Sequence, residues 1–157
     1  MSGIVGISST HAHVRQQLTE YLSDYYAAME RAFEDAGGES LRVSIDGSDP
    51  WVPKFPAELH PTWARRISPM HDGAEFYIDI DGPVQHGVFV TQSIILHLDW
   101  PAGVDGTETF RIRDVEIEPM RIRLFEDQSL GLGEARAIMS GLTAAGKLMA
   151  SLLEGQE

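Results

Sequence analysis

The chain contains no cysteine. That absence excludes a disulfide framework, a thiolate zinc site and a cysteine nucleophile. It suits the reducing cytosol, and a cytoplasmic location is expected. Lysine is scarce as well: ten of the twelve bases are arginine, and the remaining two are Lys54 and Lys147. Uninterrupted apolar runs fall far short of the roughly 20 residues that a membrane helix needs. The opening M-S-G-I-V-G-I-S-S-T lacks a basic region before a long apolar run, so no secretory signal is expected.

Reaction motifs are missing too. There is no G-x-S-x-G elbow, no phosphate-binding loop, no dinucleotide fingerprint and no H-E-x-x-H. The G-L-G-E of residues 131–134 is a lone G-x-G that a helix start explains. Of six histidines, His11 and His13 form the one close pair, placed at the mouth of a helix where i and i+2 diverge. His97, Asp99, Asp79 and Asp81 have strand spacing and could converge across two strands, but paired charges on a wet sheet face look the same. No catalytic residue, metal site or cofactor is assigned, and enzymatic activity is not the expectation.

What is present is acid. Twenty-four carboxylates face twelve bases, a net charge of −12. Such a field repels nucleic acid and anionic lipid. The partners it admits are a basic protein surface or a second copy joined through helices. The 157 residues, 43% of them hydrophobic, suit a single domain with a sizeable core.

The spacing predicts a helix over 10–36. Val14, Leu18, Leu22, Tyr25, Met29, Ala32 and Ala36 recur every three or four residues, Ser9 or Thr10 can cap the start, and Gly37-Gly38 ends the run. Glu20, Asp24, Glu30, Glu34 and Asp35 fall on the opposite face. A strand is predicted at 40–46, an irregular stretch over 46–72, further strands through 74–125, and a closing helix over 133–154. Short connections between the strands make antiparallel pairing the default.

The run F-R-I-R-D-V-E-I-E-P-M-R-I-R-L, residues 110–124, holds two changes of alternating phase, at Asp114 and Pro119. A bulge and a break there would turn every aliphatic side chain to one side. Arg111, Arg113, Glu116, Glu118, Arg121 and Arg123 would then form the solvated face, paired with acids on neighbouring strands. The expected architecture is α+β: a bent antiparallel sheet of about five strands, with the long N-terminal and C-terminal helices packed on one face.

In the closing helix, Ala137, Gly141 and Ala145 are four apart, as are Leu142, Gly146 and Ala150. Glycine inside a helix costs roughly 1 kcal/mol against alanine. The pattern therefore predicts a close-packed neighbour, with Ala28 and Ala32 of the first helix as the expected surface and a symmetric dimer as the alternative. Glu134, Ala135, Arg136, Leu142, Ala145 and Leu148, preceded by a charged strand, resemble the C-termini of small uncharacterised proteins of actinobacteria and their phages. That resemblance covers the last quarter of the chain and implies no activity.

The stretch 46–72 is the candidate binding region. It holds five of the eight prolines, and unstructured loops longer than about 12–15 residues are usually functional or disordered. Its aromatics Trp51, Phe55 and Trp63, with Lys54, His60, Arg65 and Arg66, form an expected binding set: an aromatic anchor with an anion-attracting rim. Three roles follow as expectations. The first is a non-catalytic acidic protein-interaction module. The second is a small-molecule-binding protein or small enzyme with a pocket under the 46–72 loop. The third is a subunit of an oligomer or phage-type assembly.

Overall fold

A computed structural model describes residues 3–37, 49–100, 110–125 and 131–155. The elements are helix α1 (His11–Asp35), a short 3-10 turn (Ala57–Leu59), strands β1 (Arg66–Asp72), β2 (Glu75–Asp81), β3 (Val88–Asp99), β4 (Arg111–Ile117) and β5 (Arg121–Leu124), and helix α2 (Leu132–Glu154). Every strand pairing is antiparallel, in the order β1-β2-β3-β4, with β5 also on β3. The chain is α+β, built on an open five-stranded sheet. The strand expected at 40–46 lies outside the described residues.

Thr10 caps α1, its hydroxyl accepting from the His13 amide at 3.2 Å, and Gly37 ends it in the left-handed region at φ +73. Val14, Leu18, Leu22 and Tyr25 of the expected seam are buried, joined by Tyr21 and Ala28. Ala36 is exposed. Ala36 lies on the same face as Leu18, about five turns earlier, but it belongs to the end of the helix, where every residue from Phe33 on is exposed. The seam packs on the protein's own core.

The region read as one irregular stretch, 46–72, ends in strand β1. Pro69 and Ser68 obscure its alternation, but β1 pairs only β2, and proline is tolerated on an edge strand. Strand β3 is the axis of the sheet. Ile94–Asp99 pairs β4, while Val88–Thr91 pairs β5. The division falls at Pro119, which has no N–H to donate. The other phase change appears as a register shift: Ile112 faces Leu98 and Asp114 faces His97, leaving Arg113 as the extra residue.

Phe76, Ile78 and Ile80 of β2 share a buried face with Val88, Val90, Ile94, Leu96 and Leu98 of β3. Both helices cover that face. The rings of Tyr21, Tyr25 and Tyr26 stand 6.5, 4.8 and 6.1 Å from Phe76, which seats α1. Helix α2 crosses β3 at its other end, at Val88. A 12-residue strand is about 40 Å long, room for two helices of roughly 10 Å diameter side by side.

This separation corrects the expected helix–helix contact. Gly141 does sit against another backbone, but not that of α1. A Cβ built on it would lie 2.5 Å from the Gln85 carbonyl oxygen and 2.9 Å from Val88 Cγ2. His86 and Gly87 join β2 to β3 with φ of +52 and +75, as a type I′ turn requires, and this turn holds the Gln85 carbonyl under the helix.

Buried Gln92 ties the N-terminal segment down. Its Oε1 accepts from the Val5 amide at 2.9 Å, and its Nε2 donates to the Gly3 and Glu118 carbonyls at 3.0 Å each. The Trp63 indole adds a bond to the Val5 carbonyl at 2.8 Å. All these groups are satisfied, as buried polar groups must be.

The face away from the helices carries the charges. Arg66 pairs with Asp81 at 3.0 Å, and Thr91 donates to the same carboxylate at 2.7 Å. Arg113 lies 3.6 Å from Asp99, and Arg121 3.1 Å from Glu118. Arg113, Glu116, Glu118 and Arg121 of the R-I-R and E-I-E run form ion pairs on this outer face, with Ile112 and Ile122 turned inward; Arg111 and Arg123 have no ion-pair partner among the described residues.

At one end of the sheet, the rings of Tyr26, His71, Trp100 and Phe110 meet edge to face or tilted. The Tyr26 hydroxyl bonds the His71 Nδ1 at 2.6 Å. His71 keeps much of its surface in water, yet the packed rings desolvate the imidazole and lower its pKa, against a smaller opposing effect of Asp72. An unfolded histidine titrates near ~6.5. As pH falls through that value, the unfolded chain takes a proton before the folded one does, so stability decreases. Urea unfolding at about pH 7.5 and 5.5 should show that loss in the native protein and a smaller one in His71→Gln. Equal losses in both would remove His71 as the cause.

Candidate functional site

Between the 52–62 segment, α1 and β1 lies an open groove of about 700 Å³. Val52, Pro53, Lys54, Phe55, Ala57, His60 and Thr62 form one wall, Tyr21 the inner end, and Ile67 and Pro69 the β1 side. The sequence makes this segment stiff. Pro53, Pro56 and Pro61 restrict φ at three positions. Leu59, fully buried, anchors the 3-10 turn to the core, and the Leu59 amide donates to the Pro56 carbonyl at 3.0 Å. His13 and Glu58, 2.7 Å apart, tie the same turn to α1. Phe55 stands edge-on to Tyr21, centroids 5.5 Å apart at 74°.

The lining is apolar and aromatic with a basic margin. Lys54 and His60 are exposed on it. His60 Nδ1 donates to the Pro61 carbonyl at 3.1 Å, which leaves Nε2 free to meet a ligand. Burial, with Tyr25 as a lesser contributor, raises the Tyr21 pKa, so its hydroxyl stays neutral and serves as a hydrogen-bonding group.

The seven residues expected to bind divide between separate places. Lys54, Phe55 and His60 line the groove together. Trp51 is half-buried beside it, its ring 5.2 Å from Tyr25. Trp63 is buried in the core. Arg65 folds back on the Thr62 and Ala64 carbonyls at 3.2 and 3.3 Å, and Arg66 pairs with Asp81 on the outer sheet face. Tyr21, Ile67 and Pro69 were not anticipated as lining residues. Nothing in sequence brings Tyr21 near Phe55, and Ile67 reads as one more apolar residue.

A second cluster gathers on the outer face. His97 lies 3.2 Å from Glu116 and 3.6 Å from Glu75, and Tyr77 donates to Glu75. The expected partners of His97 are engaged elsewhere: Asp79 with Ser93 at 2.7 Å and Asp81 with Arg66. Exposed pairs of this kind contribute about 0–1 kcal/mol. Among the described residues, no group of three His, Cys, Asp or Glu could hold a metal ion. No described helix is long and apolar enough to cross a membrane.

Comparison with protein-family models, curated proteins and solved structures returns no match.

Proposed function

We propose that this protein binds a small organic anion with an apolar body in the groove beneath the 52–62 segment, without transforming it. The groove itself carries the reading. Its volume of about 700 Å³ falls within the 300–1,000 Å³ typical of ligand sites. Phe55, Tyr21 and Ile67 offer contact to an aromatic or aliphatic body, and the Lys54 ammonium offers donors to a carboxylate. One of only two lysines stands on its margin in a chain of net charge −12. The lining pairs no nucleophile with a base, which supports binding over catalysis.

The test is a thermal-shift and calorimetric panel of aryl and medium-chain alkyl carboxylates, each against its matching alcohol and amine. Carboxylates are expected to stabilise the protein, by about 2.7 kcal/mol at one hundred times Kd, and the amines to leave it unchanged. Lys54→Ala should abolish the shift while keeping the unliganded melting temperature, and Phe55→Ala should abolish it from a lower starting melting temperature, because its ring packs on Tyr21. Arg65→Ala, outside the groove, should retain it. No response to any carboxylate at millimolar concentration would end this reading.

A second reading, a protein-interaction role, is supported by exposed apolar side chains along α2.

A further inference from the structure

Helix α2 carries two apolar stripes. One, with Gly141 and Ala145 buried and Ile138, Leu148 and Leu152 partly so, packs against the sheet side. The other, Leu132, Met139, Leu142, Gly146, Met149 and Leu153, has spacings of seven, three, four, three and four. At about 100° per residue, it occupies a continuous strip beside the first. Four of its members stand in water, Leu132 at 69% exposed, Met139 at 66%, Leu142 at 38% and Leu153 at 41%, while Gly146 is half-buried and Met149 packs partly on the core. A sustained seam of this spacing is the pattern that seats one helix on another. Among the described residues no other helix occupies it, because α1 is seated at the other end of the sheet on Phe76.

Charge identifies the occupant. The chain as a whole repels its own copies at net −12, but α2 carries two acids, Glu134 and Glu154, against two bases, Arg136 and Lys147. Its surface is therefore neutral and offers no long-range attraction to a strongly basic partner. Arg136 and Glu154 project from the same flank of the exposed stripe, one near each end, since eighteen residues make five whole turns. Among the described residues, neither has a partner within the chain. In an antiparallel helix pair, like flanks meet. A two-fold axis close to Gly146 sets Arg136 of one copy against Glu154 of the other, twice, and Met139 against Leu153. A parallel pair would bring opposite flanks together and leave Arg136 and Glu154 without each other as partners. Gly146, with nothing within 4 Å of a Cβ, lets the two backbones come close at the axis.

We infer that the exposed stripe of α2 binds a second copy of this chain, antiparallel, about a two-fold axis near Gly146. The seam needs company to reach the roughly 800 Å² per partner that stable interfaces bury. Val84, next to the Gln85 carbonyl under α2, and Leu124, opposite Val88 on β5, are 52% and 49% exposed and add apolar surface on the sheet beneath the helix.

Sedimentation equilibrium of the full chain tests this. The native protein should be a dimer at about 50 µM. Met139→Glu with Leu142→Glu should raise the dimer Kd by about a hundredfold or more, with unchanged circular dichroism. Arg136→Glu alone should weaken the dimer about tenfold, and Glu154→Arg in the same chain should restore it. A native protein that is monomeric at this concentration overturns the inference. If that monomer sediments with neutral phospholipid vesicles, the stripe is a lipid surface instead. A dimer that persists in the folded Met139→Glu, Leu142→Glu variant also overturns it, and failed charge rescue overturns the antiparallel arrangement. Should the double-glutamate variant not fold, the charge pair decides alone.

Discussion

Phe76→Ala is expected to lower the unfolding free energy by about 3–5 kcal/mol, the range for removing a fully buried aromatic ring. Phe76 has no exposed surface, and its ring meets three tyrosines of α1 at 6.5, 4.8 and 6.1 Å. The substitution removes apolar contact and leaves a void that two rigid surfaces, a sheet and a helix seated on it by three tyrosines, cannot close. It also loosens the aromatic contacts between α1 and the sheet. Chemical denaturation followed by circular dichroism measures the effect, and a loss under about 1 kcal/mol would show that α1 is held by other contacts. Phe76→Leu, closer in volume, should cost less than about 1.5 kcal/mol.

Gly141→Ala is expected to destabilise by about 1–3 kcal/mol, and the sign is the point. In an exposed helix the same change stabilises by roughly 1 kcal/mol, because alanine restricts the unfolded chain and suits the helix. At Gly141 the added methyl would stand 2.5 Å from a backbone carbonyl oxygen, and the turn carrying that oxygen is fixed by two bonds between Gln85 and Val88 at 2.9 and 3.0 Å. The helix must lift, which weakens its contact with Val88. Gly133→Ala, where nothing lies within 4 Å of the new Cβ, supplies the control and should stabilise by a few tenths to about 1 kcal/mol. A stabilised Gly141→Ala would show that α2 is free to move on the sheet.

Periodicity by itself determined the two long helices, the antiparallel middle and the side to which each charge of the R-I-R and E-I-E run points. These follow from local rules: an alternation of two for strands, 3.6 for helices, and a break wherever the phase changes. The breaks at Asp114 and Pro119 were legible because a strand cannot skip a residue without a bulge or an interruption. The small-residue pattern correctly signalled that a backbone comes close to Gly141. Only the tertiary structure decided that this backbone is the Gln85 turn and not α1. A missing side chain records that space is short, not what fills it. The candidate site was legible to the same degree. Proline and aromatic content marked the segment that forms the groove wall, with Lys54, Phe55 and His60. Whether Trp63 faced core or cavity depended on the Val5 carbonyl, 58 residues away, which accepts its indole N–H. Tyr21 reached the groove because it lies on the buried face of α1, three residues after Leu18 and four before Tyr25, and presents its ring to Phe55. Such choices are made between groups distant in sequence, where local spacing carries no information and the packing of helix on sheet does.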